Sequence, residues 1–383
     1  MLGKSNKPWA QSFLLHTLAV KWHNDVFKTS RPAILRNWYF LFMIKNQLLY
    51  LLYGDKTVYR HEAKFSILSA LRHRKDPASF VITVMTDQPD EFKGWPVEVI
   101  TLNANTLRTW VGVSGYYHRR KACAIQASVK LAEKTIFIDT DTVFLKDPED
   151  LFLRVSDDQF LMDAFESTWG HGAKLRAFPA FAQELASRNE SPAPALKLYN
   201  SGVCGMTRAN GAMMDGVLRL IDQWAHHGEK LFTIEQIAVS FMLDGKKVIE
   251  AKDCINHYFS KKIFHHAMIK VFFDTHGESY HEDLPTLTRA VPSAVSKTSL
   301  TDSLRLKWQL KGQTGTIRKA AKFYLLGKQS HRCVYLSACK SIWWEEAIKE
   351  IRKIDCDRGQ LDKLNSFWVT DPEFRQFADT LSV

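Results

Sequence analysis

Short apolar runs alternate with helical stretches along the chain, and this alternation narrows the fold more than any other feature. Leu48 to Tyr53 is apolar and stops at Gly54-Asp55; Phe80 to Met85 is apolar and stops at Thr86-Asp87-Gln88-Pro89; Val97 to Leu102 and Lys134 to Asp139 repeat the pattern. Between them, His61 to Arg72 and Arg119 to Leu131 carry apolar residues at helical spacing. Runs this short without an exposed polar face read as strands buried on both sides. The succession predicts an α/β fold: a Rossmann-like, mostly parallel sheet with helices on both faces.

Downstream the pattern loosens. Phe160–Phe165 and Lys247–Ala251 are expected strands, Tyr199–Thr207 is expected to be a loop running into a strand, and Gly211–Trp224 and Ile234–Leu243 are expected helices. Arg188–Pro194 reads as a polar loop, and the Ser/Thr-rich stretch Pro292–Asp302 as a domain boundary. Three segments follow: a helical 1–44, an α/β domain over 45–290, and a helical, basic extension over 303–383 with Arg305, Lys307, Lys311, Arg318, Lys319, Lys322 and Lys328. That extension ends in a segment bearing Trp343, Trp344, Phe367 and Trp368.

The 383 residues carry a formal net charge of +11, which favours anionic partners: nucleic acid, an acidic membrane, or a phosphate-bearing substrate. The six cysteines form no CxxC pair, so neither a zinc site nor a disulfide framework is expected, and free thiols suit a reducing compartment. Met1–Ala10 lacks the order of a signal peptide. The apolar runs Trp38–Ile44 and Leu48–Tyr53, broken by Lys45, Asn46 and Gln47, fall short of the roughly 20 uncharged residues of a spanning helix. The expected location is cytoplasmic, with a peripheral contact at the membrane face.

Asp139 and Asp141 close the fourth apolar run. Side chains at i and i+2 of an extended chain share a face, so both carboxylates converge beyond the strand's carboxyl end, where open parallel sheets bind ligands. Their mutual repulsion invites a cation or a shared proton. Oxygen ligation suits Mg²⁺ or Mn²⁺, either of which also takes diphosphate oxygens and would neutralise charge developing on a leaving nucleotide diphosphate.

With its flanks, Lys134–Phe152 (KTIFIDTDTVFLKDPEDLF) resembles the metal-binding core of the GT-A-fold glycosyltransferases, in particular the glycogenin and bacterial lipopolysaccharide sugar-transferase branch. Other segments resemble that family in the same order, across roughly residues 45–275. Leu49–Tyr59, with Tyr53, Gly54 and Tyr59, looks like its first strand and nucleotide-contacting turn; Thr86-Asp87 sits where the base or ribose is contacted. Arg119-Arg120-Lys121 resembles its basic donor-contacting residues, Asn200-Ser201-Gly202-Val203 its NSGV element, and Glu235-Gln236 its acidic-Gln pair on the acceptor side.

The resemblance implies a metal-dependent transfer from a nucleotide-sugar donor to a saccharide, lipid-linked or protein acceptor. Asp141 and a histidine, His257 ahead of His265, would hold Mn²⁺ or Mg²⁺, with Asp139 binding the metal or ribose side. Arg120 or Lys121 would steady the donor, and Lys261 or Lys262 the leaving diphosphate. Asn200, Glu235 and Gln236 would face sugar and acceptor, with Glu235 the base if configuration inverts. Asp163 and Glu166 are further acidic candidates. The glycogenin-like branch's HxxGxxKPW motif has no match here, which leaves stereochemistry open.

Two other readings stand beside this one. Ile138–Val143 also resembles the first motif of haloacid-dehalogenase-type phosphatases, with Asp139 as nucleophile, but several strand–helix units precede it and no late GDxxxD-like motif follows. The third is a non-enzymatic basic protein binding nucleic acid or membrane. No nucleic-acid module accompanies the charge, so no nucleic acid is expected, and the basic extension is better suited to an acidic membrane or a lipid-linked acceptor.

Overall fold

The computed structural model describes residues 44–175, 178–295, 297–312, 314–329, 333–353 and 371–381. The expected helical segment over residues 1–44 lies outside these, except for Ile44, which begins a strand instead of ending a helix. Phe367 and Trp368 also lie outside the described residues. The chain divides into two compact units, Met1–His257 and Tyr258–Val383. That division falls well before the Ser/Thr-rich 292–302 stretch expected to be the boundary, because helices from residue 262 onward group with the C-terminal unit.

The first unit is α/β. Its elements run β1 (Ile44–Leu52), α1 (Thr57–His73), β2 (Val81–Thr86), β3 (Glu98–Thr101), α2 (Ala104–Trp110), α3 (Arg119–Ser128), β4 (Ala132–Ile138) and β5 (Thr142–Phe144). There follow β6 (Gln159–Thr168), α4 (Phe178–Ser187), β7 (Lys197–Thr207), α5 (Met213–Trp224), α6 (Ile234–Met242), β8 (Lys247–Glu250) and β9 (Ile255–His257). Seven strands form one sheet in the order β3-β2-β1-β4-β7-β6-β8; β5 and β9 form a separate pair. The β3-β2-β1-β4 half is parallel, β7 runs antiparallel to both β4 and β6, and β8 is parallel to β6.

The central strands are apolar because both faces are covered. Leu49 and Phe137 pack into a core with Ile125 of α3, Val217 and Ile221 of α5, and Ile237 of α6. Tyr50 points the other way and meets α1, where its hydroxyl bonds Ser66 Oγ at 3.0 Å. One polar ladder crosses this apolar interior. Gln47, fully buried in β1, donates to Thr83 Oγ1 at 2.8 Å in β2 and accepts from Thr135 Oγ1 at 3.2 Å in β4. A one-residue slip of β1 would orphan both ends of that amide, so the ladder fixes register as well as satisfying a buried group.

The second unit is helical among the described residues: α7 (Lys262–His276), α8 (Leu300–Gln309), α9 (Gly315–Gln329), α10 (Lys340–Arg352) and α11 (Pro372–Thr380). Leu306 of α8 and Leu310 just after it join Ile317, Ala321 and Tyr324 of α9, Trp344 and Ile348 of α10, and Phe374 of α11 in its core. Asp371 caps α11 by accepting from the Glu373 and Phe374 amides, and it also takes Lys328 and the Tyr324 hydroxyl. The sheet and its loops therefore belong to the first unit alone. Among the described residues no helix is long and apolar enough to cross a membrane.

Candidate active site

β4 ends at Ile138, and the next residues form the site. Asp139 N donates to Gly202 O at 2.8 Å, continuing the β4–β7 pairing one step past the strand. Asp141 is buried and followed at once by β5. β5 pairs antiparallel with β9 so that Thr142 lies opposite His257. This pairing brings a histidine far along the chain next to the two aspartates. One ligand atom each from Asp139, Asp141 and His257 lie within 4.8 Å of one another.

The imidazole is held from both sides. His257 Nε2 stands 3.2 Å from Asp141 Oδ2, and Nδ1 stands 2.5 Å from Asp163 Oδ2. Asp163 comes from β6, at an irregularity in its pairing with β7. Orientation of a ligating ring by a carboxylate on its other nitrogen is a common supporting arrangement in metal sites. Burial by itself would lower the His257 pKa, but Asp141 and Asp163 more than reverse this and push it up to about 10.

Gly202 makes room for the ring. A Cβ at this position would overlap His257, and its neighbour Asn200 Oδ1 accepts the Gly202 amide at 2.8 Å. The Gly of the Asn200-Ser201-Gly202 element thus has a steric reason. Gly202→Ala is expected to displace His257 and cost about 1–3 kcal/mol, the usual range for overpacking a tight site. Thermal unfolding with and without Mn²⁺ checks this: the variant should lose any Mn²⁺-dependent rise in melting temperature that the parent has.

Lys121 of α3 is the central cation. It is buried, with Nζ 3.2 Å from Asp139 Oδ2, 3.1 Å from Ser201 Oγ and 3.8 Å from Glu235 Oε2. Burial alone would lower its pKa, yet Asp139 and Glu235 together raise it, so it stays charged. Burial raises the pKa of Asp139; Lys121 opposes this and Asp141 adds to it. Burial likewise raises the pKa of Glu235, against the pull of Lys121. Three buried carboxylates (Asp141, Asp163 and Glu235) and the partly exposed Asp139 meet two basic side chains (Lys121 and His257). Fully ionised, that set carries a net charge of −2; a divalent cation ligated by His257 displaces the ring proton and lowers the excess to −1.

Glu235 and Gln236 point apart. Glu235 turns inward to Ser201 Oγ at 2.9 Å, and its Oε1 is buried without a hydrogen-bond partner among the described residues. Its amide donates to the Tyr116 hydroxyl, which itself donates to Phe232 O. Gln236 turns to Glu166, donating to Oε2 at 2.7 Å, while Asn200 donates to Oε1 at 2.8 Å. Glu166 thereby joins Asn200 and Gln236 into one polar cluster, with Gln236 and Glu166 both solvent-accessible.

A second row of contacts, not foreseen from sequence, fastens the loop. Glu62, Ser66 and Ser69 of α1 are all buried. They bond in turn to Thr140 Oγ1 at 2.9 Å, Thr142 Oγ1 at 2.7 Å and the Phe144 amide at 2.9 Å. Helix positions i, i+4 and i+7 thus match extended positions j, j+2 and j+4. The clue in the sequence was a polar stripe within a helix whose other buried residues are largely apolar.

Of the remaining predicted residues, Tyr53, Gly54, Asp87 and Arg120 come together by the carboxyl ends of β1 and β2, whereas Tyr59 does not and Lys261 belongs to the second unit. Tyr53 and Gly54 follow β1, and the Gly54 amide, in a left-handed conformation, donates to both oxygens of Asp87 after β2. The Arg120 guanidinium lies 4.5 Å from the Tyr53 ring centre and 5.2 Å from that of Tyr117, a residue the sequence did not single out. Asp87, Asn103, Leu107, Arg108, Tyr117 and Arg120 line part of a cavity of about 660 Å³. Tyr59 is exposed on α1, with Lys56 over its ring. Lys261 is exposed in the turn that opens the second unit; Lys262 begins α7 there, and His265 of α7 is stacked on Tyr258 at 4.0 Å. Of the two histidines considered, His257 is the one in the carboxylate cluster.

In comparisons with known proteins, no family model and no curated protein matches the chain.

Proposed function

We propose that this chain is a metal-dependent glycosyltransferase of the GT-A type, using a nucleotide-sugar donor. The observation that carries the reading is the convergence of Asp139, Asp141 and His257 beyond the carboxyl end of the central strand β4. Support comes from a cavity whose lining includes Asp87 and Arg120, the guanidinium of which lies close to the Tyr53 and Tyr117 rings.

The donor set fits a divalent cation. Two carboxylates suit Mg²⁺ and Mn²⁺ alike, while the imidazole nitrogen favours Mn²⁺, since Mg²⁺ prefers oxygen and holds its waters. When bound, the metal would supply positive charge to the diphosphate that leaves with the nucleotide. Asp163 keeps the His257 ring turned so that Nε2 faces Asp141. Lys121 holds Asp139 in place and presents a permanent cation beside it. The Asn200–Glu166–Gln236 cluster offers hydrogen-bonding groups of the kind that orient sugar hydroxyls. Glu235 acts on this reading as a positioning residue for Lys121, since it is buried behind that cation.

A thermal-shift screen of nucleotide sugars, with and without Mn²⁺, tests the proposal. A nucleotide sugar at about 100 times its Kd should stabilise the protein by about 2.7 kcal/mol, and only when the metal is present. A protein that no nucleotide sugar stabilises, and that instead releases phosphate from simple monoesters, would sink it.

A further inference from the structure

The helix α8 carries an apolar stripe that the described residues of its own unit leave uncovered. Leu306 and Leu310 face inward and are buried in the helical core. Leu300, Leu304 and Trp308 face outward and are 85%, 66% and 80% exposed. Their i, i+4, i+8 spacing places all three along one line of the helix. Exposed large apolar residues scattered singly are ordinary, but a contiguous line of three marks a contact surface.

Charge surrounds this line. Residues 300–329 carry seven cations (Arg305, Lys307, Lys311, Arg318, Lys319, Lys322 and Lys328) against the single anion Asp302. All seven are exposed. Lys319 and Lys328 pair with Glu350 and Asp371. Arg305, Lys307, Lys311, Arg318 and Lys322 have no ion pair among the described residues. Within α8, Arg305 and Lys307 stand to either side of the Leu300–Leu304–Trp308 line.

We infer that α8 is a peripheral membrane-docking helix: Leu300, Leu304 and Trp308 enter the acyl boundary of an anionic phospholipid bilayer while Arg305, Lys307 and Lys311 contact the headgroups. The chemistry selects the bilayer over other occupants. Aliphatic side chains gain nothing against a phosphate backbone, so the leucines argue against nucleic acid. A stable protein partner needs about 800 Å² from each side, more than one line of three side chains supplies. A bilayer needs no matching shape; it rewards an apolar line flanked by cations, with the indole at the interface. The inference does not depend on the reaction proposed above.

The test is co-sedimentation of the full chain with vesicles of phosphatidylcholine alone and of phosphatidylcholine mixed with phosphatidylglycerol. The parent should pellet with the mixed vesicles and stay in solution with phosphatidylcholine alone. Each of Lys307→Gln and Lys311→Gln should weaken the partition about five-fold, corresponding to about 1 kcal/mol per basic residue near an anionic surface. The triple change Leu300→Ser, Leu304→Ser, Trp308→Ser should remove binding while leaving thermal unfolding unchanged, since all three side chains are in water. Binding that survives the triple change, or failure of the parent to bind anionic vesicles, overturns the assignment. So does a dimer in solution that the triple change abolishes, or RNA binding that outcompetes the vesicles.

Discussion

Asp141→Asn is expected to abolish metal-dependent binding of a nucleotide sugar, and with it any transfer, while leaving the fold intact. The change preserves shape but removes one of the two carboxylates that keep His257 protonated, so thermal stability without metal should fall, by an amount limited by Asp163, which still holds Nδ1. Mn²⁺ affinity should fall by more than about 100-fold, since losing even an outer supporting contact costs roughly 10–100-fold. Asp163→Asn, which removes only the support on His257 Nδ1, should fall within that range. Isothermal titration with Mn²⁺ measures both; an Asp141 variant that keeps parental affinity and turnover would dispose of the scheme.

The same site makes metal binding depend on pH. Without metal, His257 holds its proton up to about pH 10, because Asp141 and Asp163 outweigh the effect of burial. A metal requires the neutral ring and must displace that proton. Apparent Mn²⁺ affinity should therefore rise with pH, by up to about ten-fold per unit below that pKa. The metal-free protein shows the opposite sign. A raised histidine pKa adds stability that is complete below the unfolded value, near 6.5, and is lost as pH climbs through about 10.

Lys121→Met should be the most damaging single change in the first unit. Asp139 and Glu235 both lean on this buried ammonium. Removing one partner of a buried pair costs about 3–5 kcal/mol, because the other charge stays behind without compensation. That is a large share of the roughly 5–15 kcal/mol by which a domain is stable. The loss should shrink as pH falls from neutral toward the carboxylate range. A carboxyl whose folded pKa is raised destabilises the fold increasingly above its unfolded pKa, so protonation relieves it. Adding Glu235→Gln to the variant should return part of the loss at neutral pH. Denaturant unfolding of the three proteins decides the matter, and a Lys121→Met protein within about 1 kcal/mol of the parent would show that the ammonium is not holding these acids.

How far the site was legible depends on what distance in sequence each part needed. Asp139 and Asp141 were expected to share a face from the two-residue repeat of an extended strand; they do converge, but past the end of β4 and through a bend at Thr140 and Asp141. The Asn200–Gly202 element was recognised as a pattern, but the reason for its glycine was not; only the approach of the His257 ring shows why a Cβ cannot be there. Glu235 and Gln236 were read together as acceptor-facing residues. As neighbours on a helix they diverge, and one meets Lys121 while the other meets Glu166. Glu62, Ser66 and Ser69 went unnoticed because their partners lie in a loop that packs on them only through tertiary structure.

What the chain's own pattern determined is local. The apolar runs at Leu48–Tyr53, Phe80–Met85 and Lys134–Asp139 marked inner strands of the sheet, whereas Val97–Leu102 is its half-exposed edge, and the closely spaced aspartates marked the end of one inner strand. Tertiary structure decided which of the candidate side chains meet. The β5–β9 pairing chose His257 over His265, the β6 irregularity supplied Asp163, and α3 delivered Lys121 between two acids. The physical reason is the same in each case. Periodicity sets the face a side chain occupies over a few residues, whereas the partner across a sheet or a helix packing depends on register, and register is settled by burial and hydrogen bonding over the whole unit.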